Sequence, residues 1–358
     1  MSEGEEPLKT IAKGAGIFFI GLIISKLLNY FYKAIVARFL GPAEYGLLSL
    51  GLAIFGIGGW IALLGLNQGA ERYVGYYINK KNQIKKVISS VIKIGLPFSI
   101  LIGLIIFLAA KFISYKFFHN LALINILRLF SIAIIAYSLS EIFLAILRGL
   151  KSIRQQVYIK YIIEPLVRII LTLIFLFIGL NLIGAALAYV LALIFTLIIS
   201  FLVVNRRFKV FSKIKSGMTS SIFSFSWPLL FTGLFFSIFS WTDTLMLGYF
   251  KSEELVGIYN AAFPTAYLIT TILVSFTALF IPVMVNLYAN KKYDEIIKVY
   301  KKVTKWIFSL SLPIFILIIF FADDILNILF GRNYVVGSNA LIILSIGFFT
   351  ATLVGPAG

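Results

Sequence analysis

The sequence predicts an all-α, polytopic integral membrane protein of about ten transmembrane helices in two repeat-related lobes. Three observations lead there: an apolar excess gathered into runs of roughly 20 residues, a one-sided distribution of Lys and Arg, and a self-similarity at a shift of 211 residues. Of 358 residues, 61% are hydrophobic and 13% charged, and mean hydropathy is +1.02. Ordinary soluble domains hold about 45–50% apolar residues, so this chain cannot be the exterior of a soluble globule. A transmembrane barrel is excluded because its strands would alternate polar and apolar residues.

The first spans fall at 14–37 and 45–67, the second rich in glycines suited to close helix packing (Gly51, Gly56, Gly58, Gly59, Gly65, Gly69). The third, 88–110, follows a basic amphipathic stretch whose Ile84, Val87, Ile88, Val91 and Ile92 share one face, read as lying at the membrane interface. The fourth to sixth are 121–145, 158–178 and 182–204. A basic segment, 205–220, leads to longer runs at 222–249 and 258–288, where Pro228, Pro264 and Pro282 can kink the helix. A second amphipathic stretch (Ile296, Ile297, Tyr300, Val303) precedes the ninth span, 304–321, which contains Pro313, and the tenth is 338–356.

Charge fixes the sides. With the span-end residues Lys160 and Lys305 counted in the adjoining loops, alternate connections hold 22 Lys and Arg on the side of the N-terminus against 5 on the other, with 5 left inside spans. The N-terminus and its side are therefore expected to be cytoplasmic, in a multi-pass cell-membrane protein facing anionic lipids. That asymmetry accounts for the net charge of +18, so nucleic acid is not expected as a partner. The opening MSEGEEPLKT does not read as a cleaved signal peptide. Without cysteine, and with His119 as the only histidine, the chain offers no disulfide, thiol nucleophile or metal cluster, and no cofactor is expected. There is no GxxxxGK[ST] loop to bind ATP.

Glu44-Tyr45-Gly46-Leu47-Leu48 matches Leu255-Val256-Gly257-Ile258-Tyr259, and Asn79-Lys80-Lys81 matches Asn290-Lys291-Lys292, both at a shift of 211. Six spans separate the equivalent helices, so the halves share one orientation and are related by an axis along the membrane normal. The expected organisation is a six-helix lobe at 1–204, a linker at 205–220 and a second lobe at 221–358. The second lobe has only four helices and reads as incomplete.

Ionisable groups at membrane depth cost at least about 2.5–3.5 kcal/mol each, so they face a wet cavity or one another. On the first helix Lys26, Asn29, Tyr30 and Lys33 follow i, i+3, i+4, i+7 spacing and form one polar stripe, with Lys26 near mid-span. This is the candidate cavity face, although Lys33 lies close enough to an end to snorkel. Arg128, two turns into the fourth helix, is a further candidate there, and Glu141 lies on another face of the same helix. Glu164 and Arg168, four apart, can form a structural ion pair. Arg72 either guards the cytoplasmic mouth or simply follows the charge rule. Asp243 on the seventh helix has three open roles: an inter-lobe counter-ion for Lys26, a proton-linked switch or a helix-packing partner.

Phe39-Leu40-Gly41-Pro42-Ala43-Glu44-Tyr45-Gly46, then Thr242-Asp243-Thr244-Leu245-Met246-Leu247-Gly248-Tyr249-Phe250 leading to Val256-Gly257-Ile258-Tyr259, and Leu329-Phe330-Gly331-Arg332-Asn333-Tyr334 carry a resemblance in both order and spacing. Through nearly its whole length the chain resembles the polysaccharide and oligosaccharide flippases of the MATE-like multidrug, oligosaccharidyl-lipid and polysaccharide exporter superfamily. The resemblance implies a MATE-like fold of two lobes around a central cavity. It also implies transport of a lipid-linked oligosaccharide without covalent chemistry, in company with polysaccharide-assembly enzymes. Coupling to protons or sodium stays open. The alternatives are a MATE-like multidrug or cation antiporter, against which the surplus of intramembrane cations argues, and a membrane glycosyltransferase or polymerase using the same carrier.

Overall fold

A computed structural model describes residues 5–210 and 217–356 of the chain, and among them every regular element is helical. The longest, α1, runs Glu5–Leu63 but is broken at Gly41 (φ 75°, ψ 171°). Only glycine enters that region without a Cβ penalty, and Pro42, which lacks an N–H, opens the second arm where that donor would be orphaned anyway. The two arms are the first two expected spans.

After α2 (Leu66–Tyr76), α3 is one continuous helix, Lys81–Lys116. The amphipathic stretch is thus its opening turns, and its apolar face meets protein rather than lipid: Ile84, Val87, Ile88 and Val91 are at most 1% exposed. This corrects the interfacial placement, because α2 and α4 (Leu123–Gly149) cover that face. The fifth span is interrupted: α5 (Ile153–Val157) passes through a π-helix at Tyr158–Ile163 into α6 (Glu164–Phe177). Pro165, in the first turn of α6, can donate no backbone hydrogen bond to the turn before it, and the wider π turn absorbs the mismatch.

The remaining elements are α7 (Asn181–Phe208), α8 (Thr219–Phe250), α9 (Glu253–Ala289), α10 (Tyr293–Phe320), α11 (Ala322–Leu329), a 3₁₀ turn at Arg332–Gly337 and α12 (Ser338–Leu353). Among the described residues, eight helices are long and apolar enough to cross a membrane. That set joins both arms of α1 and omits the π-interrupted fifth span; taken separately, these restore the ten expected. Of the expected linker, residues 211–216 lie outside the described residues, as do 1–4 and 357–358.

The chain forms two compact units, one of Met1–Leu40 with Leu47–Glu253, the other of Gly41–Gly46 with Glu254–Gly358. The first unit therefore includes α8. Its core joins Leu63, Leu66 and Val74 to the α3 face, to Ile142–Leu147 of α4, to Val204 and Phe208 of α7 and to Ile222 of α8. Outward from that core α3 presents Leu101, Leu104, Ile105, Leu108 and Phe112, at 49–70% exposure, a surface that belongs in hydrocarbon. In the second unit the α9 backbone lies directly on the Gly41–Gly46 segment: a Cβ on Gly257 would stand 1.9 Å from the Pro42 carbonyl oxygen. Tyr45 Oη donates to the Asn260 carbonyl at 3.4 Å, and its ring meets Tyr334. The two segments that set the 211-residue register thus touch each other.

Candidate functional site

One residue of the α1 stripe, Asn29, takes part in a buried cluster in the first unit. Asn29 Nδ2 is held within its own helix by the Ser25 carbonyl (2.7 Å) and Oγ (3.2 Å), which leaves Asn29 Oδ1 directed away. Arg168 Nη2 of α6 donates to that oxygen. The guanidinium also lies against two rings, 4.7 Å from the centroid of Tyr32 and 4.9 Å from that of Tyr189. A cation 6% exposed is thereby held by a neutral amide and two π faces, with no carboxylate at ion-pair distance among the described residues. Arg168 Nε and the hydroxyls of Tyr32 and Thr172 are buried with no hydrogen-bond partner among the described residues.

The neighbouring acids are met differently. Lys160, inside the π turn, reaches Glu141 Oε1 of α4 at 2.8 Å and Glu164 Oε2 at 3.1 Å, with its ammonium 5.5 Å from the Tyr137 ring. Helical spacing offers Glu164 a cation four residues away on either side; it takes Lys160, and Arg168 turns to Asn29. Lys160 is the cluster residue that sequence reasoning passed over, because at the end of its span it was counted with a loop. The signal was its spacing from Glu164. Tyr32, Tyr137 and Tyr189 carried no such signal, since nothing in an apolar run marks which rings face a charge.

Of the other expected site residues, Lys26 and Tyr30 are half-buried on the same arm of α1, and Lys33 lies two turns beyond Lys26. Arg128 is not brought into the cluster: it is exposed on α4, 5.3 Å from the ring of Phe107 on α3. Arg72 is exposed and stacks on Phe225 at 4.1 Å, while its neighbour Glu71 pairs with Arg148 at 2.8 Å. Asp243 is partly buried on α8, and its Oδ1 accepts the N–H of Thr244 at 2.7 Å.

A family model described as polysaccharide biosynthesis protein matches residues 11–288, which include every one of these side chains. The chain belongs to that family. A second model, MatE, matches residues 228–356 of this family member. An uncharacterised membrane protein of Methanocaldococcus jannaschii is 25% identical over 96% of this chain and 72% of its own. The lipid III flippase of Escherichia coli is 27% identical over 152 residues, which are 42% of this chain and 35% of the flippase. Among solved structures, a multidrug resistance MATE family transporter in an inward-facing conformation superposes with a TM-score of 0.69 at 20% identity, covering 92% of this chain and 80% of the other. An outward-facing MATE structure gives 0.60 at 18% identity, covering 98% and 83%. The fold is MATE-like, and the family member is a multi-pass transporter of the superfamily that joins MATE proteins to polysaccharide exporters.

Proposed function

We propose that this family member is a flippase that carries a polyprenyl-linked oligosaccharide from the cytoplasmic to the outer leaflet by alternating access through a cationic cavity. One observation carries the reading: Lys160 and Arg168 balance Glu141 and Glu164 within the cluster, which leaves Lys26, Lys33, Lys93 and Arg128 against Asp243 inside the spans. The surplus at membrane depth is therefore positive. A sugar diphosphate cannot enter hydrocarbon without several kcal/mol per unpaired polar group, whereas its lipid tail can stay in the bilayer. Lys26 and Lys33, with Arg128 nearer the surface, neutralise the phosphates. Asn29 and Tyr30 hydrogen-bond the sugars beside them.

The rocking bodies are the repeat halves, 1–204 and 221–358, joined by 205–220 with the N-terminus cytoplasmic. Asp243 serves as coupling site or counter-ion to Lys26, and the cargo comes from polysaccharide-assembly enzymes in the same membrane. The similarity to a lipid III flippase supports this cargo class. The second reading, a MATE-like cation antiporter working through Asp243, draws support from the MatE match that begins at residue 228. Translocation of a fluorescent lipid-linked oligosaccharide in proteoliposomes tests both. Wild-type flipping reduced at least tenfold in Lys26→Ala supports the flippase. Full activity in that folded variant refutes the assigned cavity, and Asp243-dependent efflux of organic cations without lipid flipping establishes the antiporter.

A further inference from the structure

The opening turns of α3 and α10 both carry an apolar face beside lysines, yet only the first has that face closed over by protein. In the second unit the corresponding face of α10 lines a cavity of about 740 Å³, where Ile297 and Tyr300 stand across from Phe280, Met284 and Val285 of α9. The spacing on α9, i, i+4, i+5, is that of one helix face, so the chamber is a slot between two helices. Its size falls within the range of about 300–1,000 Å³ usual for sites that enclose small lipophilic molecules. Tyr300 donates to the Val354 carbonyl and so ties the end of α12 beside it.

One charged group lines the slot. Lys301 is exposed at its rim, and among the described residues no carboxylate lies within ion-pair distance of it. Lys292, by contrast, is spent on Glu295 at 2.9 Å. Lys298, Lys302 and Lys305 lie within about a turn of Lys301 on the same helix, and the ammonium of Lys302 sits 5.4 Å from the Trp306 ring. Tryptophan concentrates at the level of lipid headgroups, and basic pockets between spanning helices hold anionic ones. An apolar chamber with a basic rim at that depth complements a molecule with a hydrocarbon tail and a phosphate.

We infer that the α9–α10 slot is a binding site for one anionic phospholipid of the surrounding leaflet, with an acyl chain along Met284, Val285 and Ile297 and the phosphodiester on Lys301. The site lies in the second unit, apart from the polar cluster of the first, and does not depend on the cargo proposed above.

Native mass spectrometry of the full chain, purified in detergent doped with dioleoyl phosphatidylglycerol or dioleoyl phosphatidylcholine, tests it. One phosphatidylglycerol per chain should be retained at least tenfold more tightly than phosphatidylcholine. Lys301→Gln should abolish that preference, Lys301→Arg should keep it, and Met284→Trp, which narrows the acyl path between the two helices, should weaken binding of both. A photoreactive phosphatidylglycerol on the unaltered protein should crosslink to the peptides holding Met284 and Ile297, a result that does not depend on how any variant folds. Equal retention of the two lipids, crosslinks confined to other peptides, or retention of a polyprenyl phosphate that phosphatidylglycerol cannot displace would each overturn the assignment.

Discussion

Replacing Lys160 by methionine probes the polar cluster most directly. Its ammonium stands 2.8 Å from Glu141 and 3.1 Å from Glu164, and the three side chains are only 22%, 13% and 7% exposed. At an effective dielectric of about 20, each contact represents about 5–6 kcal/mol of attraction. Much of that offsets the desolvation of the three ions, so the net effect is smaller. Removing one partner of a buried pair costs about 3–5 kcal/mol, because the charges left behind have lost their hydration and their counter-charge together. Here two carboxylates would face one another. Lys160→Met is therefore expected to lower the unfolding free energy, measured by SDS titration of the detergent-solubilised protein, by about 3–5 kcal/mol. The triple variant Lys160→Met, Glu141→Gln, Glu164→Gln removes all three charges at similar volume and should recover most of the loss. A single variant within about 1 kcal/mol of wild type, or a triple variant no better than the single, would refute the reasoning.

Three further outcomes are expected in the same unfolding measurement. Gly257→Ala should destabilise by about 1–3 kcal/mol or more, since its Cβ would meet the Pro42 carbonyl oxygen at 1.9 Å and a backbone atom cannot step aside like a side chain; a neutral result would mean that α9 and the Gly41–Gly46 segment do not lie in contact. Gly41→Ala should cost about 1–3 kcal/mol from backbone strain alone, because nothing lies within 4 Å of its Cβ position. Arg148→Met should cost no more than about 1 kcal/mol, as its partner Glu71 is 46% exposed and the pair is screened; a larger loss would show that this ion pair is shielded from water.

Most of the fold was legible because membrane insertion depends on properties that a short segment carries by itself. Hydropathy and length alone locate the spans, and the Gly41-Pro42 pair marks the break between the first two, since glycine is free of Cβ and proline has no donor to lose. The two segments matched at a shift of 211 residues also lie against each other, Gly257 beside Gly46 and Pro42. Matters were different wherever one residue had two equally spaced partners. Glu164 has a cation at minus four and another at plus four, and helical geometry ranks neither; the π turn and the approach of α4 with Glu141 settle it on Lys160. Arg168, displaced from that pair, finds Asn29, 139 positions away, together with two tyrosines.

The same limit explains the two amphipathic stretches. Each shows an apolar face beside lysines, and a moment of that kind says that the face avoids water without saying whether protein or lipid does the covering. In α3 neighbouring helices close over Ile84, Val87, Ile88 and Val91, while in α10 Ile297 and Tyr300 remain open on a cavity. The spans follow from local sums of transfer free energy. The pairing of charges and the fate of an apolar face depend on how each helix is rotated against its neighbours, which is fixed only when the whole set packs.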